Sequence, residues 1–142
     1  MSREPSSSTT PHRWGVVLVA VGGSVGTLCR YLLDQLIGDV SGLPVGPFLI
    51  NTSGAFLLGL LVASLARRGP DHGRRRDLRL LLGTGLLGGY TTYSALANDT
   101  ATMLLSDHAV TEAVGYALAT VVVGVLGCWA GVLIARAPGG RR

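Results

Sequence analysis

Residues 46–66 read GPFLINTSGAFLLGLLVASLA and contain no charged side chain. An α-helix rises about 1.5 Å per residue, so about 20 apolar residues are enough to cross a hydrocarbon layer about 30 Å thick. This stretch therefore predicts a transmembrane helix, and it sets the class of the whole chain.

Three further apolar stretches, residues 15–37, 78–105 and 113–135, are also long enough to span a membrane. The 142 residues have a mean hydropathy of +0.45 and only 14% charged residues, which excludes a disordered protein. We predict an all-α membrane protein whose four transmembrane helices form one domain, residues 15–136. A disordered cytoplasmic tail, residues 1–14, precedes this domain, and a basic tail, residues 137–142, follows it. A cleaved signal peptide is the alternative for the first stretch, although no clear A-x-A site follows it.

The basic residues predict how the chain is oriented. The chain contains no lysine, and every arginine except Arg30 falls in the N-terminal tail, in or beside the middle loop, or at the C-terminal end. With four spans these three regions share one side of the membrane. The loops on the opposite side contain no Lys or Arg, and their charged residues are Asp39, Asp107 and Glu112. The positive-inside rule then places both termini in the cytoplasm. A site for RNA or phosphate is the alternative for the middle loop, RRGPDHGRRR.

Two polar side chains lie inside otherwise apolar spans, where such residues are costly and usually face the bundle interior or water. Asn51 carries a carboxamide that donates two hydrogen bonds, and its alternative role is to join neighbouring helices. Arg30 lies near the end of the first span, where the alternative is that its side chain extends to the membrane surface. We treat both as candidate functional residues.

The third span is interrupted by GGYTTYS, residues 88–94. Adjacent glycines followed by two β-branched threonines favour an unwound backbone, with the Gly88 and Gly89 pair as the expected breaking point. Freed carbonyls at membrane depth persist only in protein or beside a cavity, and broken helices of transport proteins use them to hold cations. A simple kink is the alternative. The remaining glycines include six expected to permit close helix packing: Gly22, Gly26, Gly54, Gly59, Gly124 and Gly131.

Nothing in the sequence points to an enzyme. No Ser-His-Asp set, nucleotide-binding loop or pair of catalytic carboxylates is recognisable, and His12, His72 and His108 are isolated from other metal ligands. Cys29 and Cys128 each lie within a span, where we expect them to pack as small apolar residues, with a disulfide or metal pair as the alternative.

Motifs in all four spans resemble, in order, those of the Fluc (CrcB-type) fluoride channels. GGSVGTLCRY at residues 22–31 is similar to the first-helix pattern GG-x-x-G-x-x-x-R-Y, and GPFLINTSGAFLLG at residues 46–59 to the second-helix pattern G-T-x-x-x-N-x-x-G-x-F-x-x-G. GTGLLGGYTTYSAL at residues 83–96 resembles the third-helix pattern G-x-x-G-G-x-T-T-F-S-T-F. Tyr116, Thr120 and Gly124 match the fourth-helix pattern Y-x-x-x-S-x-x-x-G.

The resemblance implies an antiparallel dimer with two fluoride pores and a central structural Na⁺. By this resemblance the Na⁺ is held by the backbone carbonyls of Gly88 and Thr91. The positions that match the pore-lining residues of the family are Asn51, Arg30, Tyr93, Ser94, Tyr116 and Thr120. Fluoride is strongly hydrated, so a pore must replace its water with donors such as amides, hydroxyls and aromatic edges. Passive efflux is expected, because no proton-coupling chain of carboxylates is recognisable.

The chain departs from the family pattern around the third helix, where Tyr93 and Leu96 replace two phenylalanines and Asp99 replaces a longer acid. Leu96 has no aromatic edge to offer an anion. A homodimer of antiparallel subunits also needs one sequence to insert both ways, which the arginine bias opposes. We therefore predict a heterodimer with an oppositely oriented homologue. The alternatives are a homodimer with altered pores, a small multidrug-type four-helix exporter and a non-conducting membrane partner subunit.

Overall fold

The computed structural model describes residues 12–39, 42–105 and 110–137, and these residues form a bundle of helices without strands. Helix α1 covers His12–Ile37 and α2 covers Val45–Ala66. We use α3 for one continuous helical segment whose three parts are Arg74–Leu78, the wider π-helical Arg79–Leu87 and Gly88–Tyr90. Helix α4 covers Tyr93–Leu105, and α5 covers Val110–Arg136.

Helices α1, α2 and α5 are each long and apolar enough to cross a membrane by themselves. The predicted third span corresponds to α3 and α4, which are separated by two non-helical residues. Large apolar side chains such as Val25, Leu118 and Val125 point outward along the bundle. Such an apolar exterior suits lipid rather than water, so the chain is an all-α multi-pass membrane protein.

The helices associate as two parallel pairs. Going along α1, Gly15, Gly22 and Gly26 meet Leu80, Gly85 and Leu86 in the same order along α3, so α1 and α3 run in one direction. Helices α2 and α5 also run together. The hydroxyl of Tyr116 near the start of α5 donates to the carbonyl of Pro44 before α2 (3.2 Å). At the other end, Arg67 after α2 donates to the carbonyl of Ala137 after α5 (3.1 Å).

Glycines set the close spacing within both pairs. A Cβ added at Gly22 would collide with the Leu81 carbonyl, and one at Gly26 with the Leu86 carbonyl. Between α2 and α5, Gly59 lies against the Cys128 carbonyl and Gly131 against the Phe56 carbonyl in the same way. The expectation of close packing is confirmed at these glycines and at Gly54. It is wrong at Gly124, where the nearest atom to an added Cβ would be the Ala55 Cβ at 4.0 Å.

The structure corrects two other expectations. The helix begins at His12, so residues 12–14 belong to α1 rather than to the tail; residues 1–11 and 138–142 lie outside the described residues. Gly88 and Gly89 are helical, and the chain leaves the helix only at Thr91. Gly89 serves packing instead, because an added Cβ would collide with the Gly23 carbonyl.

The helix pairing separates the charges. The described arginines other than Arg30 lie at the end where α1 and α3 begin and where α2 and α5 finish. Asp34, Asp39 and Glu112 lie at the opposite end, beside the turn between α1 and α2. This arrangement gives the bundle one strongly basic end.

Candidate functional site

The candidate site is built around the interruption between α3 and α4. Thr91 still donates its N–H to the Leu87 carbonyl (3.0 Å), as a helical residue would, but its backbone is extended, with φ −80° and ψ 154°. The helix resumes at Tyr93. Thr91 and Thr92 are therefore non-helical inside the bundle, and their polar backbone groups need partners that a membrane does not supply.

Asn51 of α2 supplies two of these partners. The Thr92 N–H donates to the Asn51 side-chain oxygen Oδ1 (2.8 Å), and the Asn51 amide nitrogen Nδ2 donates to the Thr92 carbonyl (3.0 Å). This reciprocal pair fixes which way the carboxamide points, because a backbone N–H needs an acceptor. One of the two Nδ2 hydrogens remains for another partner.

Thr92 then starts α4 by capping it. Its hydroxyl oxygen accepts a hydrogen bond from the Ala95 N–H (3.2 Å), as the side chain of an N-cap residue does for the third residue of a helix, and it also pairs with the Ser94 hydroxyl (3.0 Å). In an unbroken helix, the N–H groups of Thr92 and Ala95 would bond to the carbonyls of Gly88 and Thr91. Both carbonyls lose these donors at the break.

The carbonyl of Gly89 has replacement donors from α1. Arg30 donates through Nε at 3.3 Å and Thr27 through its hydroxyl at 3.4 Å. The guanidinium of Arg30 is thus positioned against the break from the side opposite Asn51, and it is half-buried. Its approach depends on the close α1–α3 packing described above.

Helix α2 makes further contacts with the break. The Ser53 hydroxyl pairs with the Tyr90 hydroxyl (3.0 Å). Gly54 brings α2 so close that an added Cβ would collide with the Thr91 methyl group and lie 3.1 Å from the Tyr90 ring. A larger residue at position 54 would push the two elements apart.

A groove of about 370 Å³, the helix-break groove, opens beside the interruption between α2, α4 and α5. It is lined by Asn51, Ala55, Thr91, Thr92, Tyr93, Leu96, Thr120, Val121, Gly124, Val125 and Cys128. The side chain of Tyr93 stands at its rim with 82% of its surface exposed, whereas Thr120 is only 4% exposed. The Thr120 hydroxyl donates to the Tyr116 carbonyl on its own helix (2.8 Å), which engages its single hydrogen.

The structure does not gather all six predicted pore residues in one place. Asn51, Tyr93 and Thr120 line the helix-break groove. Tyr116 lies one helical turn away and lines a separate cavity of about 510 Å³ beside Phe48 and Glu112. Ser94 is exposed next to Thr92, and Arg30 lies on the α1 side.

Four residues that shape the break were not predicted from the sequence: Thr92, Thr27, Tyr90 and Ser53. Thr92 carried a local signal, because threonine directly before a helical segment is a favoured N-cap. Thr27 lies one turn before Arg30 on the same face of α1, so the two side chains reach the same carbonyl. The Tyr90–Ser53 contact joins residues far apart in sequence and had no such signal.

Side-chain metal ligands are not clustered in the described part of the chain, where no three His, Cys, Asp or Glu residues come together. Cys29 and Cys128 are both free thiols, so they do not form the disulfide considered as an alternative.

Comparison with known proteins gives one consistent result. Residues 17–132 match the family described as CrcB-like protein, Camphor Resistance (CrcB). The chain is 46% identical over its full length, and over 97% of the relative, to fluoride-specific ion channel FluC 2 of Leifsonia xyli subsp. xyli. It is 42% identical to FluC of a Caulobacter species over 85% of this chain and 94% of that one. It is 40% identical to FluC 1 of Cutibacterium acnes over 89% of both chains.

Replacing Asn51 is expected to destabilise the bundle. Asn51→Leu leaves the N–H and the carbonyl of Thr92 unpaired at membrane depth, which should lower the free energy of unfolding by about 2–4 kcal/mol. Unfolding of the purified protein in detergent, followed by circular dichroism, measures the change.

The adjacent residue provides a matched control. The Thr52 hydroxyl oxygen is buried without a hydrogen-bond partner among the described residues, so Thr52→Val should leave stability unchanged or raise it. Equal stability of the Asn51→Leu variant and the original protein would contradict the role assigned to Asn51.

Proposed function

The chain belongs to the CrcB-like family, and we propose that it is a fluoride-selective ion channel that lowers cytoplasmic fluoride by passive efflux. The observation that carries this proposal is the interruption between α3 and α4, where Asn51 bonds to the Thr92 backbone beside the helix-break groove. Asn51 secures the unwound backbone with one amide hydrogen and keeps the other for a ligand.

The groove offers fluoride a short series of donors. The second amide hydrogen of Asn51 is one, and the hydroxyl and ring edge of Tyr93 are others. Thr120 contributes once its hydroxyl rotates away from the Tyr116 carbonyl, which it contacts in the described conformation. Neutral donors suit a passing anion, because binding must replace hydration without becoming too strong for release.

Na⁺ is proposed to bind at the break through the carbonyls of Gly88 and Thr91. The chemistry of the site fits, because hard cations prefer oxygen ligands and these two carbonyls have lost their helical donors. When bound, the ion supplies a fixed positive charge close to the groove, which favours anions. Arg30, which contacts the intervening Gly89 carbonyl, adds positive charge from the α1 side.

A second subunit is proposed to complete the pore as an antiparallel dimer. The helix-break groove is open on one side, and the highly exposed Tyr93 at its rim offers an aromatic surface for a partner. Two breaks meeting at the dimer centre would also double the number of carbonyls available to one Na⁺.

The basic end of the bundle favours a heterodimer. The arginines gathered at one end direct insertion in the cell membrane with both termini in the cytoplasm, so the antiparallel subunit would be a homologue with the opposite charge bias. Leu96 lines the groove beside Tyr93, so this subunit offers less aromatic surface there than the two phenylalanines of the family pattern would offer. The partner subunit would supply the groove with more aromatic surface.

The contents of the groove favour passive flow over proton-coupled export. Its described lining contains no carboxylate. Asp34, the acidic residue of the first span on which the exporter alternative depends, lies against Gly46 at the turn between α1 and α2. Asp34 does not line the helix-break groove.

Fluoride release from liposomes tests the function and the partner together. Liposomes that hold this chain and an oppositely biased member of the family should release fluoride, and those with this chain alone should release little. A fluoride electrode measures the release, with chloride release as the selectivity control. Absence of release in both preparations would contradict the channel, whereas full release by this chain alone would contradict only the required partner.

Removal of Na⁺ should slow the release of fluoride. If the carbonyls of Gly88 and Thr91 hold the ion, replacing Na⁺ by N-methyl-D-glucamine throughout purification should lower the release rate, and adding Na⁺ back should restore it. The rate is followed with the same electrode at constant ionic strength. Undiminished release after complete Na⁺ exchange, verified by elemental analysis of the protein, would exclude the proposed ion.

A further inference from the structure

The seam between α2 and α3 is looser than the two glycine-lined interfaces. In the two parallel pairs the helix backbones are in contact, whereas α2 and α3 meet through side chains. An added Cβ at Gly83 would lie at ordinary contact distances, 3.6 Å from Leu61 and 3.9 Å from Leu58. The seam leaves an open groove of about 450 Å³, the leucine groove.

The leucine groove has a distinct polarity along its length. Leucines such as Leu57, Leu61, Leu82 and Leu86 form its walls, and Arg68 lines it at the basic end of the bundle. Residues 57–66 of α2 span about 14 Å along the helix axis at 1.5 Å per residue, and Arg68 lies just beyond the end of the helix. An apolar channel of this length with a cation at the membrane surface matches an amphiphile with an anionic head.

Three other arginines near the middle loop already have partners. Arg79 forms an ion pair with Asp71 (2.7 Å), and Arg75 donates to the Pro70 carbonyl (3.5 Å). Arg67 donates to the Ala137 carbonyl. In the described part of the chain, Arg68 makes no side-chain hydrogen bond or ion pair and is exposed. Its charge is therefore free to attract a phosphate.

The lining of the groove, apolar walls with a cation at one end, favours a lipid. A single flexible acyl chain fits a narrow groove with apolar walls. Basic pockets between transmembrane helices at a positively charged membrane face are typical binding sites for anionic headgroups.

We propose that the leucine groove binds one anionic phospholipid, with an acyl chain between α2 and α3 and the phosphate paired with Arg68. Lipid binding here depends neither on which ion the protein conducts nor on the identity of a partner subunit. The lipid would fill the loose seam next to the break and hold α2 and α3 together at the basic end.

Native mass spectrometry of the purified chain tests the site with phosphatidylglycerol and phosphatidylcholine of identical acyl chains. The chain should retain phosphatidylglycerol in preference. Arg68→Gln should lower its apparent affinity about fivefold, the effect of one arginine near a charged membrane surface, and leave phosphatidylcholine binding unchanged. Circular dichroism and size-exclusion profiles verify that the variant is folded.

Two further variants separate the groove from general charge attraction. Arg74→Gln removes another exposed arginine at the same end that does not line the leucine groove, and it should leave lipid retention unchanged. Ser64→Phe fills the groove without changing charge and should weaken binding of both lipids.

Three results would overturn the proposal. Equal losses in the Arg68→Gln and Arg74→Gln variants would show general attraction. Complete displacement of the lipid by inorganic phosphate would show that the head binds without the groove. A change from dimer to monomer in the Arg68→Gln variant, independent of lipid, would show that a second copy covers the groove.

Discussion

An unwound backbone at membrane depth must find its hydrogen-bond partners within the protein, and the reciprocal pair between Asn51 and Thr92 meets this constraint. Without it, the N–H and carbonyl of Thr92 would face either lipid or an unfilled groove. With it, α3 ends, α4 starts, and the carbonyls of Gly88 and Thr91 lose their helical donors. The candidate ion site and the helix-break groove both follow from this one contact.

The two parallel helix pairs hold this contact in place. Glycines bring α1 against α3 closely enough for Arg30 and Thr27 to reach the Gly89 carbonyl, and Gly54 presses α2 onto Thr91. Helices α1 and α2 thus both contact the break, α1 through close backbone packing on α3 and α2 through Gly54 and Asn51. Toward the basic end, α2 and α3 meet through side chains, and the seam there stays open as the leucine groove.

Much of the fold could be predicted from the sequence, because apolar length and the placement of arginines are properties of single segments. The position of the break could not, since Gly88 and Gly89 looked like the weakest helical residues and instead serve packing against α1. Asn51 was identified as a candidate because a carboxamide is costly in a span, but its partner, Thr92, lies 41 residues away in the chain. The limited donor capacity of Thr120 was likewise hidden, because it depends on a side-chain rotamer.

The account depends most on the hydrogen bonds between Asn51 and the Thr92 backbone, and solid-state NMR in lipid bilayers measures this contact most directly. With ¹⁵N-labelled asparagine and ¹³C-labelled threonine, a strong dipolar cross-peak is expected between Asn51 Nδ2 and the Thr92 carbonyl carbon, in keeping with the 3.0 Å between Nδ2 and the carbonyl oxygen. Thr91 should show the chemical shifts of extended backbone. Helical shifts through Thr91 and Thr92, with no cross-peak to Asn51, would contradict the claim.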